Sequence, residues 1–492
     1  MKLPSDLQTR TNLLSPLFGA VLFLVCAQLA GCGNSGGPGG NAIPAPVVEA
    51  PVPRALCGPG SNPESGLQGR VPREEVDSGR AAHGYTCNSQ LLGRSGPTSY
   101  QGGAGGFKVH RYVDSSGHDC AYYDTTILYP ANVSAGQQPG VWVLDMSNPS
   151  QPVRTAVLST QAMLSPHESL ALNTKRGLLA AAYGTPATAP GQVDIYDLTA
   201  DCRTPVLRSS LPVGLLGHEG NISPDGNTYY IASLDAGTLA AVDISNPDAP
   251  VTVFATNAYK PHGLSISDDG NRAYIADRTG LVILDVSEIQ ARVFPNPQVL
   301  EVSRLNWEPI QSTPQATIPV TIKGHPYLIE VDEFSDAADN AGAARIIDIA
   351  NEMKPRVISN LRLEVHSTEN RTLLQADYGS GASDRTGFQG YNGHYCEVPQ
   401  RNEPGVVACT FILSGLRLFD IRDPFRPTEI AYFNGPILPV NGAPGFDPAS
   451  YAMAAPAFAP ERGEIWYSDA NSGFYSVRIT NGVWPFSKSA AR

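Results

Sequence analysis

Leu281-Val282-Ile283-Leu284-Asp285 is an apolar run closed by an aspartate, and the same phrase recurs along the chain. Its copies are Val141-Trp142-Val143-Leu144-Asp145, Val193-Asp194-Ile195-Tyr196-Asp197, Leu239-Ala240-Ala241-Val242-Asp243, Ala344-Arg345-Ile346-Ile347-Asp348 and Leu416-Arg417-Leu418-Phe419-Asp420. A seventh, Phe474-Tyr475-Ser476-Val477-Arg478, carries arginine in place of the aspartate. Short β-like runs repeated at blade-sized intervals predict an all-β protein, a seven-bladed β-propeller with four-stranded blades.

The third blade displays the unit most plainly. His218–Ser223 reads as its inner strand, Pro224-Asp225-Gly226-Asn227 as a turn, Thr228–Ser233 as the second strand and Thr238–Ile244 as the third; Pro250–Ala255 is the outer strand. Blade 4 repeats the pattern from His262 through the turn Asp268-Asp269-Gly270-Asn271 to Val286. Asp and Gly suit such turns because they bond their own backbone or tolerate positive φ. By the same chemistry, the aspartate closing each third strand is expected to cap the following turn, a structural role. The intervals between these aspartates are 52, 46, 42, 63 and 72 residues. The excess length is placed at roughly 303–320 and 367–393, ahead of the inner strands of blades 5 and 6. Blade 7 lacks an obvious fourth strand near Thr480, and an N-terminal strand, Phe107–Val113, is expected to close it and remove the free edge.

Leu281-Val282-Ile283-Leu284-Asp285 resembles the repeat that names the LVIVD-repeat family of bacterial exported propeller proteins, and the resemblance extends from about residue 104 to 480. It implies the propeller fold and export, and no particular activity.

The N-terminus reads as a targeting segment. Lys2 and Arg10 precede an apolar stretch from Leu17 to Ala30, which is short for a membrane span and suited to a signal peptide. It ends in Leu29-Ala30-Gly31-Cys32, the pattern of a bacterial lipobox, with Cys32 as the lipidated residue. Residues 1–31 are thus expected to be a lipoprotein signal peptide, 32–56 a lipidated Gly/Pro/Ala-rich tether, 57–103 a cysteine-containing segment, and 104–492 the propeller. The membrane, reached through the lipid anchor, is the expected partner, together with an envelope protein or a small-molecule ligand. Gly33, rather than aspartate, follows the cysteine, which favours the outer membrane where the organism has one. Six further cysteines remain after Cys26 and Cys32, an even number that fits disulfides in an exported chain. Cys396–Cys409 flanks a turn between adjacent strands, Cys57–Cys87 would close the N-terminal segment on itself, and Cys120 with Cys202 remains by elimination. The formal net charge of -12 and the absence of a basic stripe argue against nucleic acid as a partner.

Five of the nine histidines occupy similar local sequence: Gly-His118-Asp, Pro-His167-Glu, Gly-His218-Glu, Pro-His262-Gly and Gly-His394-Tyr. Placed at the starts of inner strands, they would ring one mouth of the propeller axis. Imidazole suits copper, zinc or iron, so a transition metal is the expected cofactor if one is held there. Asp119, Glu168 and Glu219 follow three of them and, pointing the other way along a strand, would orient imidazoles of adjacent blades. Two readings stay open for these histidines: metal ligands, or structural residues bonding a neighbouring blade's backbone. His83, His110, His325 and His366 are expected to be surface or packing residues. No Gly-x-Ser-x-Gly, Cys-x-x-Cys-His or metalloprotease His spacing is present. Two functions follow from this pattern: an envelope-anchored binding or scaffold propeller, or a metal-dependent oxidoreductase using the axial histidines.

Overall fold

The third strand of blade 4 reads as an unbroken apolar run because it is buried on both faces. In Gly280–Asp285, Val282 and Leu284 pack with Ala232, Leu239 and Ala241 of blade 3. Leu281 and Ile283 face the other way and pack with Leu328 and Ile347 of blade 5. Alternate side chains of one strand thus join two neighbouring sheets. The computed structural model describes residues 50–97, 104–126, 138–183, 191–213, 217–234, 236–278, 280–306, 312–335, 342–380, 390–439 and 447–486.

Seven antiparallel sheets form the blades of a β-propeller, six of four strands and one of five. Blade 3, from inner to outer strand, comprises Glu219–Ile222, Thr228–Ser233, Thr238–Asp243 and Val251–Thr256. Blade 4 runs Pro261–Ile266, Arg272–Asp277, Gly280–Asp285 and Leu300–Asn306. All seven copies of the phrase are third strands. The six closing aspartates accept the amide of the residue two positions on, from Ser147, Thr199, Ser245, Ser287, Ala350 and Arg422, at 2.9–3.0 Å. In the seventh copy Arg478 instead donates to Glu464 at 2.9 Å.

An N-terminal strand closes the ring, although a different stretch from the one expected. Val109–Val113 is the inner strand of blade 1, paired with Asp119–Asp124. The closing strand is Ser89–Ser95, which pairs with Gly473–Ile479 as the outer strand of blade 7. Just before it, Tyr85–Cys87 adds a fifth strand to blade 6 against Thr428–Asn434. The sheet structure therefore begins well before residue 104. Asn88 turns the chain between the two blades with φ +52. Its amide donates to Leu56 and Ile430 carbonyls and accepts from Gly58 and Asn481.

The stretch 303–320 is not an insertion. Leu300–Asn306 is the outer strand of blade 4, and Ser312–Ile322 is the inner strand of blade 5; part of the extra length lies between Ser287 and Leu300, and part in the two 11-residue strands Ser312–Ile322 and His325–Ser335. Residues 364–374 hold short helical turns ahead of blade 6. Disulfides join Cys57–Cys87, Cys120–Cys202 and Cys396–Cys409. Cys396 and Cys409 are direct cross-strand partners, 4.0 Å apart at Cα. No helix among the described residues is long and apolar enough to cross a membrane. The leader and Cys32 lie outside the described residues.

Candidate metal centre

Four of the five singled-out histidines converge. His167 precedes the inner strand of blade 2, His218 immediately precedes that of blade 3, and His262 and His394 lie within those of blades 4 and 6. The ring centroids of His167 and His218 are 4.3 Å apart, and those of His218 and His262 are 4.8 Å apart. Blade 5 contributes Glu333, near the end of its second strand, His325–Ser335. Blade 1 contributes Phe107, whose ring lies 4.4 Å from His167 and 5.2 Å from His394.

Glu168 does not stand behind the imidazoles, as its place beside His167 suggests. It sits among them. Its Oε2 lies 3.2 Å from His218 Nε2 and 3.6 Å from His262 Nε2, and its Oε1 lies 3.4 Å from His394 Nε2. Glu333 mirrors it, with Oε2 3.5 Å from His262 Nε2 and Oε1 3.4 Å from His394 Nε2. Glu168, His262 and His394 are each at most 1% exposed.

The far ring nitrogens are fixed by neighbouring blades. His262 Nδ1 donates to the Pro314 carbonyl of blade 5 at 3.0 Å, and His394 Nδ1 donates to the Met453 carbonyl at 2.7 Å. A carbonyl can only accept, so both protons reside on Nδ1, and in the neutral ring the Nε2 lone pair faces the carboxylates. The two readings of these histidines are therefore compatible: one nitrogen braces the next blade while the other faces the axis. His167 has φ +51, in the left-handed region that a non-glycine residue seldom occupies and that concentrates at functional sites.

Burial holds the His167 and His262 imidazoles down to about 3, aided for His167 by neighbouring His218. Burial also opposes charge on His394, but its hydrogen bond to Glu333 and the charges of Glu333 and Glu168 raise it. Burial likewise disfavours the Glu168 carboxylate, yet the surrounding imidazoles, His218 first, hold it well below the usual range. Burial pushes Glu333 up.

The remaining candidates lie elsewhere. His118 is in the turn between the inner and second strands of blade 1, not at the start of an inner strand. Its Nδ1 is 2.8 Å from Asp114 Oδ2 and 3.8 Å from Asp201 Oδ1. Asp119 accepts from Arg111 and Arg462 rather than from an imidazole. Glu219 pairs with Lys108 at 3.2 Å, and burial pushes it up to about 7. Together with Tyr395 and Arg401 these two line a separate cavity of about 370 Å³. His366 accepts the Leu363 amide and bonds the Tyr391 carbonyl, a packing role. Glu333 was not among the residues singled out from sequence; its signal is three acids, Glu330, Asp332 and Glu333, closing an otherwise apolar strand.

No curated protein matches the chain. Among solved structures, a putative 6-phosphogluconolactonase from Bacteroides uniformis is 11% identical with a TM-score of 0.48, covering 71% of this chain and 91% of its own. The periplasmic gluconolactonase of Pseudomonas aeruginosa is 14% identical with a TM-score of 0.43, covering 68% and 86%. The model of the LVIVD repeat matches residues 135–159, 217–258 and 263–289, stretches that contain the third strands of blades 1, 3 and 4. These three stretches of the chain are thus similar to the LVIVD repeat.

Proposed function

We propose that the protein is an exported, lipid-anchored propeller that holds a transition metal in its axial cluster and serves as a binding platform at the bacterial envelope. One observation carries the metal reading. With Nδ1 committed to carbonyls, the Nε2 lone pairs of His262 and His394 meet carboxylate oxygens at 3.4–3.6 Å in a buried site. Each such contact needs a proton or a cation between its two acceptors, and a metal ion meets the need of both imidazoles and both carboxylates together. The spacing suits a metal: tetrahedral bonds of about 2.1 Å set ligand atoms about 3.4 Å apart. Imidazole with carboxylate fits zinc, iron, manganese or copper.

The leader ending in Cys32 supports export and anchoring, and the three disulfides, which belong in an oxidising compartment, support export. Elemental analysis of protein purified without chelator tests the metal. Wild type is expected to carry at least one transition-metal ion per chain, and His262→Ala to carry less while remaining folded by circular dichroism. Metal-free wild type that refuses zinc, copper, manganese and iron on reloading would end the metal reading. Cys32→Ser is expected to move the protein from the membrane fraction to the soluble exported fraction; membrane-bound mutant protein would end the anchoring reading.

A further inference from the structure

Resting on that metal reading, we infer that the centre is built for two metal ions rather than one, bridged by the carboxylates of Glu168 and Glu333. Each carboxylate divides its oxygens between different imidazoles. Glu168 turns Oε2 toward His218 and His262, and Oε1 toward His394. Glu333 turns Oε2 toward His262 and Oε1 toward His394. A carboxylate serving a single ion has no need to aim its second oxygen at a second ligand nitrogen. Two carboxylates doing so in parallel reproduce the arrangement of a pair of ions held side by side.

The potential ligand atoms also fall into two sets. Those of His167, Glu168 and His218 lie within 4.8 Å of one another, and so do those of Glu168, Glu333 and His394. Glu168 belongs to both. His262 lies within 3.6 Å of Oε2 of each carboxylate, and the Glu168 Oε2 that it faces is the one that also faces His218. The first position is thus offered His218 and His262 with Oε2 of each carboxylate, and His167 stands beside His218. The second is offered, among the described residues, one imidazole and two carboxylate oxygens.

The inequality gives the two positions different chemistry. The first is nearly saturated and suits a tightly held ion. The second leaves coordination open for water or an exogenous oxygen ligand, which a catalytic or ligand-binding ion requires. Phe107, packed against His167 and His394, covers part of the site with an apolar ring.

The test is stoichiometry together with spin coupling. Full-length protein is stripped with a chelator, reloaded with excess Mn(II), freed of unbound metal on a desalting column, and analysed for manganese and by electron paramagnetic resonance. Two ions per chain with an exchange-coupled spectrum are expected for wild type. His394→Ala is expected to retain one ion, with the uncoupled six-line signal. His394→Gln, which keeps a donor near the Met453 carbonyl, replaces it if the alanine variant unfolds. Wild type that saturates at one ion with an uncoupled signal overturns the two-ion inference and leaves the metal reading standing. Wild type that binds none after loading with Mn(II), Zn(II) or Cu(II) overturns both.

Discussion

Arg417→Met is expected to destabilise the fold by an amount that grows with pH. The Arg417 side chain is fully buried. It pairs with Glu64 from the N-terminal segment and with Glu429 Oε1 at 3.0 Å, and its guanidinium lies 4.4 Å over the Tyr432 ring. Glu64 and Glu429 are themselves at most 4% exposed at the side chain. Methionine fills much of the volume but leaves two buried carboxylates without their cation, which costs about 3–5 kcal/mol. Burial already pushes Glu64 up, and removing Arg417 deletes the strongest opposing charge. A carboxyl whose folded pKa lies above its unfolded value stabilises fully at low pH and loses that contribution as pH rises. Proton uptake by one of the two carboxylates therefore recovers about 1.4 kcal/mol per pH unit over the window between its unfolded and folded values. A loss of about 4 kcal/mol at pH 8 should shrink to roughly 1–2 kcal/mol at pH 6. Urea unfolding of mutant and wild type, followed by tryptophan fluorescence at both pH values, measures this. Adding Glu64→Gln and Glu429→Gln to the mutant should restore most of the loss and flatten its pH dependence. A loss below about 1 kcal/mol at pH 8, or one equal at the two pH values, would refute the reasoning.

Asp124 is buried, accepts the Phe107 amide at 3.0 Å, and is pushed up by burial to about 8. Its contribution is present below about pH 4 and lost as pH rises through 8, so Asp124→Asn should remove a decline on the order of several kcal/mol across that window; parallel pH–stability curves for mutant and wild type would contradict this. Asp285→Ala deletes the acceptor of the Ser287 amide and should cost about 1 kcal/mol in urea unfolding, with no change in metal content. Gly106→Ala should disorder the approach to Phe107, because a Cβ there would lie 1.8 Å from Asp124 Oδ2; an unperturbed thermal midpoint would argue against that packing.

The blades were legible because a strand packed on both faces is largely apolar, with any charge paired, and a turn that follows it needs an acceptor. Leu281–Asp285 records both demands in five residues. His167, His218, His262 and His394 were legible because the repeat brings equivalent positions to one place. The same logic misplaced His118. Gly117-His118-Asp119 copies the local text of Gly217-His218-Glu219, but Asp119–Asp124 is a second strand, wholly buried like Thr228–Ser233. The inner strand lies one step earlier, at Val109–Val113. Glu333 escaped for the complementary reason: it reaches the axis from a second strand, a position the repeat does not mark. The double role of Glu168 was hidden as well, since strand alternation says which way a side chain leaves the backbone, and not how two carboxylates divide their oxygens.

The closure around Asn88 bears on how the molecule is made. Residues 85–87 and 89–95 are among the first of the body to be synthesised, yet their partners at 428–434 and 473–479 come last. Early blades can stack as they arrive, but the ring stays open until blade 7 has been made. A chain cut short anywhere before blade 7 would leave the closing strand unpaired, an open edge that proteases and other strands can reach. The seam thus doubles as an inspection point: the earliest and latest residues of the body must both be present before either is protected, so only whole molecules last.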